Sequence, residues 1–122
     1  MKSDIIQEGL RHTVTKIVSK NDLASTLGTS KRNCLSTTSL VLFIEQTISS
    51  LIDPYLSDEE ASVSSEINIK HFRPAYENEE IRCIVHLKYK DNNRLFFNVA
   101  VLNYKHEEVG IGAHSRHIIK IR

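Results

Sequence analysis

One stretch of the sequence carries a long helical repeat: STTSLVLFIEQTISSLI, Ser36 to Ile52. From Leu40 onward its apolar positions, Leu40, Phe43, Ile44, Ile48, Leu51 and Ile52, together with Thr47, recur at i, i+3, i+4, i+7 and i+8, the spacing of a broad buried stripe. Asp53-Pro54 supplies the stop, because proline cannot donate to the next turn. Downstream the period changes to two. The runs ASVSSEINIKHF, IRCIVHLKYK, RLFFNVAVLNY and EVGIGAHSRHIIKI each alternate and are separated by polar turns, so each reads as a strand. Upstream, GLRHTVTKIVS (Gly9 to Ser19) is rich in β-branched residues and reads as a first strand. A lone helix has no helical neighbour to cover its stripe, so a sheet must do it. The order strand, helix, four strands excludes a doubly wound parallel sheet and predicts an α+β fold: one long central helix wrapped by a five-stranded antiparallel sheet. KDNNR (Lys90 to Arg94) and KHEE (Lys105 to Glu108) suit hairpin connections. The polar text from Lys20 to Asn33 suits a loop or a short helical lid. With 122 residues, no repeat and no Pro/Gly-rich linker, residues 1–122 form a single domain.

Charge narrows the partners. Acids and bases nearly cancel at a formal +1, so neither nucleic acid nor an anionic membrane is favoured, and a small or acyl-type ligand fits better. No apolar run reaches the roughly 20 residues of a bilayer span and no signal-peptide pattern opens the chain, so a soluble, cytoplasmic protein is expected. Cys34 and Cys83, the only two cysteines, lack metal or redox spacing and are expected as free thiols. His114 and His117 stand three apart in a strand pattern, hence on opposite faces, so no metal site is expected there and no cofactor is implied.

Chemistry-bearing residues gather around the helix. Glu45 interrupts its apolar text, in a row with Val41 and Ser49 at the margin of the stripe, where it is either solvated or kept for chemistry. Ser36, Thr37, Thr38 and Ser39 crowd the amino end, where capping accounts for one hydroxyl of the four. In the strand after Ala61, alternation puts Val63, Ser65, Ile67, Ile69 and His71 on the core side and Ser64, Glu66, Asn68 and Lys70 on the other. His71 is then a satisfied core histidine or the partner of Glu45. Gly110 and Gly112 weaken the last strand unless it is bulged or closely approached, and Arg116 is a surface cation or an anion contact. A hydroxyl at a positive helix terminus, a carboxylate and an imidazole in one cleft would be a workable set for acyl transfer.

Thr37 followed eight residues later by Glu45, the segment SSEINIKHFRPAYENEE with His71 ahead of a proline turn, and the terminal VGIGAHSRHII together resemble the hotdog-fold thioesterases, closest to the fluoroacetyl-CoA thioesterase type. The resemblance spans nearly the whole chain. It implies catalytic roles for Thr37, Glu45 and His71, and a place near the substrate for Arg116 and for Ser64, which stands where the family has a tight-turn glycine. It also implies a homodimer, and leaves open whether dimers pair further into a tetramer. The site would lie at the subunit interface, Thr37 and Glu45 coming from one chain and His71 from the other. The family's aromatic gate has no counterpart in TLGTSKRNC. Hydrolysis of a short- or medium-chain acyl thioester, on CoA or an acyl carrier protein, is therefore the expected activity. A non-catalytic acyl-CoA sensor of the same fold is the alternative; a dehydratase, which would want a His and Asp pair, fits less well.

Overall fold

The computed structural model describes residues 2–122. Five strands, β1 (Arg11–Ile17), β2 (Glu60–His71), β3 (Glu80–Asp91), β4 (Arg94–Asn103) and β5 (Glu108–Lys120), form one antiparallel sheet in the order β1-β3-β4-β5-β2. A short helix, α1 (Ala24–Leu27), lies in the polar stretch after β1, and α2 (Thr37–Ile52) is the long helix the repeat predicts. The hairpin pairings of β3 with β4 and β4 with β5 agree with the turn chemistry, and Asn92 (φ 54°) and His106 (φ 64°) absorb the left-handed turn positions.

α2 fixes the core. Leu40, Phe43, Ile44, Thr47, Ile48, Leu51 and Ile52 are buried, and they pack with inward residues such as Ile81, Cys83, Val85, Leu95, Phe97 and Val101 of β3 and β4. Thr47 joins this set because its hydroxyl donates to the Phe43 carbonyl, which removes the cost of burying it. Truncating the fully buried Ile48 to alanine would cost about 2–5 kcal/mol. The helix begins cleanly: the Ser36 hydroxyl accepts from the Ser39 amide at 3.0 Å.

β2 is the strand that carries side chains to the open flank of α2. It pairs with β5 on one side only and is therefore an edge strand. Its register with β5 shifts between Ser64 and Glu66, leaving Ser65 unpaired opposite the Arg116–Ser115 step. An extra residue in one strand reverses the alternation beyond it. Ser62 and Ser64 therefore face α2 together with Ile69 and His71, which corrects the simple alternation that put Val63 and Ser65 inward and Ser64 outward. The two glycines of β5 answer to packing. A Cβ on Gly112 would overlap the Asn68 carbonyl oxygen of β2, and one on Gly110 would lie 2.9 Å from a Leu40 methyl of α2.

Candidate active site

The open flank of α2 faces β2. Thr37, Val41 and Glu45 follow one another at four-residue steps, so they form a row along this flank, which β2 crosses in the opposite direction. Leu42 and Ile67 border it and stay 51% and 39% exposed, so the flank is not sealed within one chain.

Two hydrogen-bonded stations occupy the row. At the amino end, Thr37 Oγ1 and His71 Nδ1 are 2.8 Å apart. Thr37 is the first residue of α2, so its amide and that of Thr38 have no intrahelical acceptor and sit at the positive end of the helix dipole. Burial holds the His71 imidazole below its ordinary pKa, opposed by a hydrogen bond to the Arg73 backbone, so the ring is neutral around pH 7. Both members of this station belong to the same chain. That corrects the expectation that His71 reaches Thr37 from a second subunit.

The second station lies two turns along. Glu45 Oε2 accepts a 2.5 Å hydrogen bond from the Ser64 hydroxyl, while Oε1 has no hydrogen-bond partner among the described residues. Ser64 Oγ also lies 3.1 Å from Nε2 of His114, which is 2% exposed. Burial first, then the charge of Arg116, push His114 down to about 4 against the opposing pull of Glu45. Arg116 itself is buried and spends its guanidinium on the protein: Nε donates to Ser62 Oγ, Nη2 to the Ser62 carbonyl and Nη1 to the backbone carbonyl of Glu45, at 3.1–3.3 Å. It clamps β5, β2 and the middle of α2 together. Ser64 and Arg116 thus touch Glu45 rather than open space. His71 and Glu45 sit in different stations, not as the pair that alternation suggested.

Sequence pattern alone misses two residues of the site. His114 stands out in the sequence only beside His117 as a metal pair, and the two do lie on opposite faces of β5, His114 inward and His117 outward. Ser62, the anchor for Arg116, carries no signal beyond its place in a serine-rich run. The available clue is the serine run itself, since three serines in a strand are a poor way to fill a core face.

A family model described as FlK, fluoroacetyl-CoA-specific thioesterase, matches residues 18–122. The chain belongs to that family. Among solved structures, a mutant of the fluoroacetyl-CoA-specific thioesterase FlK in complex with fluoroacetate and CoA superposes with a TM-score of 0.89 at 20% identity, covering 95% of this chain and 97% of that one. A hot-dog-like protein from Thermanaerovibrio acidaminovorans gives 0.86 at 18% identity over 97% and 87% of the two chains. A hypothetical Thermus thermophilus protein of the thioesterase superfamily gives 0.85 at 20% over 94% and 85%. At these identities the structural likeness is one of fold, and it identifies the sheet-wrapped helix as a hotdog fold. A search of curated protein sequences returned no match. As a member of the FlK family, the chain is a thioester hydrolase.

Proposed function

We propose that this FlK-family enzyme hydrolyses a short- or medium-chain acyl-CoA thioester, at a site completed by a second copy of the chain. The supporting observation is the spacing of the two stations. Thr37 and Glu45 are eight residues apart on one helix, about 12 Å along its axis. Oxyanion donors act at about 3 Å from the oxygen they stabilise, and a base must reach a water that touches the same carbonyl carbon, so one chain's two stations cannot serve one thioester. Two copies related by a twofold axis, with their α2 helices antiparallel, bring Glu45 of one beside Thr37 and His71 of the other. The free edge of β2 and the exposed Leu42 and Ile67 supply a surface on which such a twofold pairing can form.

In this arrangement the thioester carbonyl oxygen rests against the Thr37 and Thr38 amides and the Thr37 hydroxyl, where developing negative charge is stabilised. Glu45, with Oε1 free, takes a proton from the attacking water, whose oxygen bonds to the carbonyl carbon. The tetrahedral intermediate collapses, the C–S bond breaks, and the proton taken up by Glu45 passes to the departing thiolate, while the hydrogen bond to His71 holds the Thr37 hydroxyl in place. The products are a carboxylic acid and a free thiol. Direct attack by the Glu45 carboxylate, giving an anhydride that water then opens, uses the same placement.

The test is a hydrolysis panel from acetyl-CoA to octanoyl-CoA, with the same acyl groups on an acyl carrier protein, run on wild type and Glu45→Gln. Turnover that falls by a factor of about 10² or more in the variant is expected for loss of a general base. Binding without turnover by wild type would instead make the chain an acyl-CoA sensor.

A further inference from the structure

The hydrogen-bond directions around Glu45 are determined by counting protons. An ionised carboxylate only accepts, and a serine hydroxyl has one proton. The 2.5 Å contact to Glu45 Oε2 takes that proton. Ser64 Oγ therefore has only lone pairs left for His114, so Nε2 must carry the imidazole proton and donate it across 3.1 Å. The neutral ring then has a bare Nδ1. That atom is buried and has no hydrogen-bond partner among the described residues. A buried acceptor without a partner destabilises a fold, and an apolar side chain of similar volume would avoid it. The fold therefore gives no stability reason for an imidazole at position 114, whereas the donor it presents to Ser64 does give a reason.

From this geometry we infer that Ser64 and His114 form a positioning relay, His114 Nε2–H to Ser64 O–H to Glu45 Oε2, which fixes the catalytic carboxylate with Oε1 turned to the substrate water. The inference rests on the reading of Glu45 as the base. Neither relay residue touches substrate: His114 is almost fully enclosed and Ser64 Oγ is occupied on both sides. His114 is not a second base, because burial and the neighbouring Arg116 guanidinium oppose a positive charge on its ring. The Ser65 bulge makes the relay possible in this chain, since with Ser65 held in a regular ladder Ser64 and Ile69 would face opposite sides. Arg116, hydrogen-bonded to the Glu45 carbonyl, holds the backbone while the relay holds the side chain.

The test compares wild type with Ser64→Ala, Ser64→Thr, His114→Gln and the double variant Ser64→Ala/His114→Gln, using the acyl-CoA that wild type hydrolyses best. A positioning role predicts a fall in kcat of about tenfold or more for Ser64→Ala with KM within about threefold, because what is lost is orientation and not binding. Ser64→Thr, which keeps the hydroxyl, should recover most of the loss. The double variant should be no slower than the worse single one, since both break one chain of bonds. Unchanged kcat in Ser64→Ala, beside active wild type and inactive Glu45→Gln, overturns the relay and leaves the hydrolase reading standing. A second readout needs no turnover: 15N NMR of the histidine side chains should show His114 protonated at Nε2 and bare at Nδ1, with faster Nε2–H exchange in Ser64→Ala. Protonation at Nδ1 overturns the relay even if the panel yields no substrate, and should the Gln variant fail to fold, Ser64→Ala and the wild-type tautomer still decide.

Discussion

Thr37 and His71, 34 residues apart in sequence, are joined within one chain by a 2.8 Å hydrogen bond between Oγ1 and Nδ1, whereas Glu45 on the same helix is bonded to Ser64. This division has a direct consequence for mixed dimers. If each site takes Glu45 from one protomer and Thr37 with His71 from the other, Glu45→Gln and His71→Ala homodimers are both inactive. A heterodimer of the two has one site with every group intact. Random re-pairing of equal amounts gives half heterodimers, each with one of two sites working, so about a quarter of wild-type activity should return. No recovery after unfolding and refolding the mixture, with heterodimers verified by native mass spectrometry, would place all three residues in one chain's site.

The buried histidine should mark the pH dependence of stability. In the unfolded chain His114 titrates near pH 6.5, and in the folded protein near 4. Above pH 6.5 both states hold it neutral and its contribution is constant. As pH falls from 6.5 towards 4, the unfolded chain binds a proton that the native state refuses, so stability declines, by about 1.4 kcal/mol per unit at most and by about 3 kcal/mol in total. His71, also held down by burial, acts in the same direction. Urea midpoints at pH 7, 6 and 5 should fall more steeply for wild type than for His114→Gln. Parallel pH dependence in the two would show that His114 is not shielded from protonation.

The cysteines should differ in reactivity. Cys83 is fully enclosed beneath α2, and burial raises its thiol to about 11 despite the Thr47 hydroxyl nearby. Cys34 is half-buried and free. At pH 8 a disulfide reagent such as DTNB should therefore label one thiol per native chain and two in guanidinium chloride. Rapid labelling of both in native protein would show the space beneath α2 opening on the timescale of the reaction.

The global pattern was legible because it rests on periodicity: 3.6 for one segment and 2 for five others admit few arrangements, and the strand boundaries fell within one or two residues of the structure. The row of Thr37 and Glu45 along α2 was legible for the same reason, since they are an i, i+8 pair on a strongly patterned helix. What alternation cannot register is an insertion of one residue. SVSSEIN contains no glycine or proline to announce a bulge, so Ser64 reads as outward-facing and its bond to Glu45 is invisible. His114 was hidden differently. A histidine between glycine-rich text and an arginine reads as a metal or surface residue until cross-strand register sets it opposite Ile67, beside the serine it serves.

The bulge itself is open to test, because the two stations lie on either side of it. His71 meets Thr37 only if the residues beyond Ser65 keep their parity, and Ser64 meets Glu45 only if those before it keep theirs. Deleting Ser65 makes β2 regular and leaves Ser64 and His71 an even number of positions apart, so both still face α2. Among the described residues the Ser65 side chain forms one hydrogen bond, to Ser115 at 3.0 Å, and Ser65 is exposed, so losing that side chain alone is a small change. Ser65→Ala should therefore stay within about threefold of wild-type activity and the Ser65 deletion within about tenfold, because neither changes which side chains face α2. Circular dichroism and thermal melts separate any loss of activity from unfolding: the deletion should retain its β-sheet spectrum, because the β2–β5 hydrogen bonds can re-form in a regular ladder. A deletion variant that folds but loses about 10²-fold or more in hydrolysis would mean that the stations depend on the geometry of the bulge itself and not only on which side chains face α2.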